Sequence, residues 1–413
     1  MLKLCTLLFS IAACGFPRPA DVGDDLAGCT RDEDCGTAQP FCVDRACAVC
    51  RLDTSCPAAL PVCDQVSHDC RGCAKDSECD SGACDLAAGA CVGQGAILYA
   101  SPAGTAADPC TRMSPCSLRR AAELVDAGHG YIVLEPGVYR GGALFSGKRA
   151  IIAGSNATVD IVEPAVSTIG VFNASSIKIR DLNLEEHITI PDSDVGFAIA
   201  SDTSELVVDD FRSNTLMLYA FGGDSLTIRN SEFAGPSVRA TKLVVEGCFF
   251  HSGGPVAGDE SSGVGFVQLT NSIVIASAPQ VSVAIYGNDP LRGSQIVNNT
   301  FVGGAFICQA TSAGYGRLVD SNVFYQGTAI QASTGCEYRN NLVFPSVPPD
   351  GTGNITGDPL FMDLASNDFR LKPGSPAIDA GNPVNTLTGR DFAGTLRPQG
   401  ARSDIGAFEY VPR

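Results

Sequence analysis

Ile296-Val297-Asn298-Asn299-Thr300-Phe301 is one copy of a pattern in which an aliphatic or aromatic residue is followed, two places on, usually by Asn, Asp or Gly and then by further apolar residues. The pattern recurs at Ile179–Leu184 (IRDLNL), Val208–Phe211 (VDDF), Ile228–Phe233 (IRNSEF) and Val245–Phe250 (VEGCFF). It continues at Leu269–Val274 (LTNSIV), Val319–Phe324 (VDSNVF) and Tyr338–Val343 (YRNNLV), with start-to-start spacings of 17 to 29 residues. A period of this length, built of strand formers with irregular insertions, predicts a β-solenoid. Each coil is a few short strands whose inward side chains stack on the same positions in the coils above and below. Asn230, Asn271, Asn298 and Asn340 fall at the bend between strands, where asparagine tolerates left-handed dihedrals and hydrogen-bonds its neighbour. A β-sandwich would use hairpin turns, and the chain contains no Asn-Gly. The expected fold is therefore all-β, a right-handed parallel β-helix.

The domain that carries this pattern begins near residue 97 and runs to 413. Ile97–Ser101 reads as a strand, and a loop containing Cys110 and Cys116 follows. Ser117–Ala127 reads as an amphipathic capping helix, with Ser117 as N-cap and Leu118, Ala121, Ala122 and Val125 on one face. Strand-type runs follow at Ile132–Leu134, Ile151-Ile152 and Val159–Val162. The run Ile132–Tyr139 (IVLEPGVY) resembles the opening rungs of pectin-lyase-like right-handed β-helix proteins of bacterial surfaces. The tail resembles choice-of-anchor Q domain proteins through Asp358–Phe361, Asp368–Leu371, Pro373–Gly381, Asp391–Gly394, Arg397-Pro398 and Asp404–Glu409. The resemblance covers roughly residues 97 to 410 and implies the fold and a surface location, not an activity. The acidic residues of the tail are expected to serve turns and a C-terminal cap.

Ahead of this domain the chain is dominated by cysteine. Of 19 cysteines, twelve stand between residues 29 and 91 as three copies of one unit. The units are Cys29, Cys35, Cys42, Cys47; then Cys50, Cys56, Cys63, Cys70; then Cys73, Cys79, Cys84, Cys91, with Asp32, Asp53 and Asp76 equivalently placed. A unit of about twenty residues cannot bury enough apolar surface to fold unaided. Disulfides in an oxidising compartment are the expected staple, with Cys110 and Cys116 as a further local pair. The pairs Cys47-x2-Cys50 and Cys70-x2-Cys73 also match zinc-ribbon spacing, but eight further cysteines would then go unexplained. No metal site is expected there, and the partners of each cysteine cannot be read from spacing. The block, residues 29–92, resembles Dickkopf-like modules and the cysteine-rich repeats of myxobacterial surface proteins. With Cys5 cleaved off in the export signal and Cys14 lipidated, Cys248, Cys308 and Cys336 are left, so at least one buried free thiol is expected.

Lys3 and the apolar run Leu4–Ala13 read as an export signal too short to span a bilayer. Ser10–Cys14 resembles a bacterial lipobox, which implies cleavage of residues 1–13 and lipidation of Cys14. Residues 14–28 are then a tether. The only membrane contact expected is this anchor, at the outer membrane or cell surface.

The chain has 413 residues, 45 of them glycine, no tryptophan, and a formal charge of −17. That charge argues against nucleic acid, whose phosphates need a cationic track. It also disfavours an unassisted grip on polyuronates or anionic lipid. Neutral glycans, cationic surface proteins and calcium-bridged ligands fit better, and calcium is the one cofactor left open.

Candidate catalytic residues are sparse. Gly128-His129-Gly130 matches a polygalacturonase tripeptide but precedes the first inner strand and reads as a turn. Asp209-Asp210 could be the acid and base of a hydrolase, although it coincides with the bend position of the repeat. The longest insertions follow Leu184 and Phe250 and carry Glu185, Glu186, His187, Asp192 and Asp194, then His251, Asp259 and Glu260. Stacked in register, His187 and His251 would stand roughly 10–15 Å apart on an acidic rim. Arg180, the one arginine beside acidic residues on a rung, is expected to face solvent. The expected function is a surface lipoprotein whose β-helix binds extracellular glycan or a surface partner. The alternative is a polysaccharide lyase or glycoside hydrolase working at that rim.

Overall fold

The computed structural model describes residues 28–139, 142–161, 169–184, 196–200, 205–213, 217–233, 238–257, 266–277, 281–285, 293–308, 317–332, 335–383 and 387–412. The export signal, Cys14 and all but the last residue of the tether lie outside them. The chain forms two compact units, Met1–Cys73 with Ala87–Ala90, and Ala74–Leu86 with Cys91–Arg413. The third cysteine repeat, expected to stand with the first two, thus contributes Ala74–Leu86 to the second unit.

The first unit is two short hairpins, Phe41–Val43 with Ala46–Ala48 and Val62–Cys63 with Cys70–Arg71. Its bridges are Cys29–Cys42, Cys35–Cys47, Cys50–Cys63 and Cys56–Cys70. Within both of these repeats, therefore, the first cysteine joins the third and the second joins the fourth. The recurring aspartates now have a reason. Asp32 Oδ1 accepts from the amide of Cys42 at 2.8 Å, and Asp53 Oδ1 accepts from Cys63 at 2.7 Å, so each carboxylate ties the start of its unit to the third cysteine. Every cysteine from Cys29 to Cys91 is disulfide-bonded, which leaves no thiolate in the block for zinc.

The second unit is the β-helix. Its strands pair in parallel, each with the strand one coil on, giving three long sheets around one core. In the first sheet an unbroken inward row runs Ile132, Ile152, Ile179, Val208, Ile228, Val245, Leu269, Ile296, Val319 and Tyr338. All are buried. The second sheet stacks Phe233 on Phe250 and Phe301 on Phe324 at ring distances of 5.2 and 5.1 Å. One side-chain position repeated every coil buries its apolar surface against copies of itself, which is why the sequence repeats there.

Between the first and second sheets, the coils from Asp181 to Asn340 each turn through a left-handed residue. φ is 48° at Asn230, Asn271 and Asn340 and 56° at Asn298, as the sequence pattern predicts, while Asp181 (53°) and Asp210 (48°) take the same place. The next position turns inward and forms a second ladder. Asn322 Oδ1 accepts from both nitrogens of Asn299 at 2.9 and 3.0 Å, and Asn341 and Asn354 repeat the arrangement in the following coils. Ser231, Cys248 and Ser272 occupy this position earlier in the stack, so the buried free thiol of Cys248 stands where neighbouring coils place a hydroxyl. Cys308 and Cys336 are bonded to each other.

The one α-helix among the described residues, α1 (Leu118–Leu124), packs Leu118, Ala121 and Ala122 into the core at the N-terminal end, with Ser117 Oγ accepting from the amide of Arg120. Lys148 Nζ donates to the carbonyls of Glu123 and Val125 at the other end of that helix. The tail, expected as a cap, lies along the flank of the stack. Its Phe361, Phe369, Leu371, Ile405 and Ala407 cover Ile273, Val302, Val323 and Leu342 on the outer face of the second sheet. Polar residues of the tail form the framework of this sheath. Arg397 and Glu409 form a fully buried ion pair at 3.0 Å, and Arg397 also donates to the carbonyls of Asp404 and Gly406. Asp391 accepts from the amides of Ala393, Thr395 and Glu409, and Asp404 from those of Asp379 and Tyr410.

Candidate functional site

The outward row of the second sheet reads Arg212, Glu232, Phe249, Ile273, Thr300, Val323, Leu342. From Ile273 onward it is largely apolar and lies under the tail; before that it is polar and carries no such cover among the described residues. Phe249 is the border. Its ring meets Phe369 and Phe392 of the tail edge-on, each at 6.4 Å. His251, two places on and on the same face, stacks against it at 4.1 Å. His251 Nε2 lies 2.6 Å from Glu232 Oε1, and Arg212 Nε lies 3.7 Å from Glu232 Oε2. The result is a strip running tail, Phe249, His251, Glu232, Arg212, in which His251 is oriented from two sides.

Beside it, the outward row of the first sheet alternates in charge: Arg180, Asp209, Arg229, Glu246. Arg229 pairs with Glu246 at 3.6 Å, and Asp209 accepts from Asn230 Nδ2 at 3.0 Å. Arg180 does not face solvent as expected. Its guanidinium is 2.8 Å from Asp76 and donates to the carbonyl of Cys84, and Asp76 also accepts from the amide of Cys84. Asp76 thus repeats the role of Asp32 and Asp53. Burial raises its carboxyl above the usual range, with the Cys84 amide and the Arg180 cation opposing.

Asp209 and Asp210 have different partners, Asp209 accepting from Asn230. Asp210 is hydrogen-bonded to Asp181, which holds the same bend position one coil earlier. Burial first, and the Asp210 carboxyl second, push Asp181 up to about 6, so below that pH Asp181 carries a proton. His129 sits in a turn as expected: Asp126 Oδ1 accepts from the amides of Gly128 and His129 and contacts the ring of His129.

Of the expected rim, only His251 is described; Glu185, Glu186, His187, Asp192, Asp194, Asp259 and Glu260 lie outside the described residues. Glu232, Arg212 and Asp181 are additions that the sequence reading did not single out. Their signal was positional. Asp181 and Asp210 both stand third in their copy of the repeat, and Arg212 and Glu232 both stand fifth.

The architecture defines a right-handed parallel β-helix with a disulfide-rich N-terminal region. No protein-family model matches the sequence, and no curated protein matches it. Among solved structures, the crystal structure of pectate lyase Pel9A is similar with a TM-score of 0.44 and 15% identity, over 76% of this chain and 96% of that one.

Proposed function

We propose that this chain is an exported, lipid-anchored surface protein whose β-helix displays a binding face for an extracellular glycan or a surface partner. Residues 1–13 are the signal, Cys14 carries the anchor, residues 14–28 are the tether and the stapled repeats form a spacer. The observation that supports a binding role is the strip at the tail border. His251 is held between the Phe249 ring and the Glu232 carboxylate, giving a rigid surface of apolar body and polar edge. Such groups contact a ligand with little entropy left to lose.

A lyase or hydrolase is the second reading, and the His251–Glu232 contact favours it, because a carboxylate-oriented imidazole is also the arrangement of a general base. The carboxylates argue the other way. Asp181 and Asp210 are directly bonded, whereas glycosidase carboxyls stand about 5–9.5 Å apart. The test is to incubate the oxidised chain from Gly15 onward with a panel of polysaccharides, measuring retention and new chain ends together. Retention without new ends, weakened by His251→Ala, supports binding. New ends that vanish in His251→Ala replace it with catalysis.

A further inference from the structure

A second concavity lies on the outer face of the first sheet, away from the strip just described. Gly130, Arg149, Ile151, Ser176 and Lys178 line a pocket of ≈ 220 Å³ spanning three successive rungs. In register, Ser176 stands on Arg149 and Lys178 on Ile151. The two cations therefore leave the same face from neighbouring rungs, two places apart along the strand, or about 8 Å between Cα atoms at ordinary strand spacing and rise. Both are exposed. Among the described residues neither side chain has a hydrogen bond or an ion pair. Other cations nearby are engaged: Arg180 with Asp76, Arg229 with Glu246, and Lys148 with helix carbonyls. Gly130 leaves the mouth clear, since a Cβ there would meet nothing within 4 Å.

In a chain with 45 acidic and 28 basic residues, two unneutralised cations converging on one hollow are a local reversal of charge. We infer that this pocket is an oxyanion site, taking a sulfate, phosphate or carboxylate group between Arg149 and Lys178. The guanidinium supplies a planar fork of donors and the ammonium a point charge. Glu205 sets the limit of the site. It is next to Ser176 in the row and accepts from Ser176 Oγ at 2.8 Å, so it holds the hydroxyl away from the ligand and repels a second negative charge. The ligand is either a free inorganic ion or an acidic substituent on an extracellular polymer.

The full oxidised chain is titrated with sodium sulfate and sodium phosphate against sodium chloride at matched low ionic strength, followed by amide NMR shifts. Sulfated and neutral dextran of equal length form the polymer arm. Binding of sulfate but not chloride is expected, with Arg149→Gln and Lys178→Gln each weakening it about three- to fivefold, as for exposed ion pairs. Glu205→Gln tightens it by removing the negative charge beside the site. Lys242→Gln, four rungs along the same row, leaves it unchanged. Sulfated dextran that binds in competition with sulfate marks a polymer substituent as the ligand source; binding of the ions alone marks the free ion. Sulfate binding no better than chloride, equal binding by the Arg149 and Lys178 variants, or equal loss in the Lys242 variant overturns the assignment.

Discussion

Arg180 of the β-helix and Asp76 of the third cysteine repeat form an ion pair at 2.8 Å, with only 11% and 1% of their side chains exposed. The contact draws on one residue 104 positions from the other, and it fixes the Ala74–Leu86 segment on the first sheet, with Ala83 beside Tyr99, Val133 and Ala153. Arg180→Met should cost about 3 kcal/mol, because it strands a buried carboxylate. Removing the cation raises the Asp76 carboxyl further, so the penalty should shrink as pH falls and that group takes up a proton. Urea unfolding of wild type and variant at pH 7 and pH 5 checks this; a penalty independent of pH would show that lost packing, not charge, is the cause.

The inward ladder gives a contrast within one structural position. Asn322→Ala removes the acceptor of two donors from Asn299 and should cost about 2–4 kcal/mol. Cys248→Ser places a hydroxyl where Ser231 and Ser272 already have one, and should change stability by less than about 1 kcal/mol. The Cys248 thiol is fully enclosed and burial pushes it up to about 12, so a thiol reagent should label it only in denaturant. Thermal melts and mass spectrometry after labelling read both outcomes. Fast labelling of the native chain would mean that this coil opens.

Acid should stabilise the fold over a defined window. Asp181 and Asp404 ionise near 3.8 when unfolded, and burial pushes each up to about 6 in the folded chain. The folded state therefore holds protons that the unfolded state has lost. Stability from these groups is complete below pH 4, declines as pH rises toward 6, and is flat above that. Asp181→Asn keeps a residue suited to the left-handed bend and removes the repulsion with Asp210. At pH 7 it should stabilise by about 1 kcal/mol, the shift being discounted because the site is half exposed. Unfolding free energy measured from pH 4 to 8 tests the sign; a stability that climbs across this window contradicts the assignment.

The coil stack was legible because two requirements recur in every turn. Ile179, Ile228 and Ile296 must be apolar to fill the core, and Asn230 and Asn298 must tolerate a positive φ. The second ladder was hidden because Ser231, Cys248 and Asn299 differ in chemistry and share only a place. The site was less legible still. That His251 meets Glu232, or Asp210 meets Asp181, follows from the register between coils, and insertions of unequal length conceal that register in a linear reading. The tail was misplaced for a similar reason. Its sheath role depends on the outward row beginning at Ile273 being apolar, which becomes visible only when inward and outward positions of each strand are separated.

Reduction should separate the two units. In the first, few apolar side chains are buried, and four bridges close loops of 13, 12, 13 and 14 residues. Each such loop is worth about 3 kcal/mol by chain entropy, so without them residues 28–73 have too little core to stay folded. The β-helix is different. Its buried rows run from Leu98 to Val343 and depend on strand stacking, with Cys110–Cys116 and Cys308–Cys336 as local additions. Under native conditions with dithiothreitol, protease should therefore clip the first unit rapidly. A resistant fragment beginning near residue 74 should remain, with its β-sheet circular dichroism retained. Loss of that signal together with the cleavage would mean that the bridges hold the β-helix as well, and would make the cysteine repeats part of its fold.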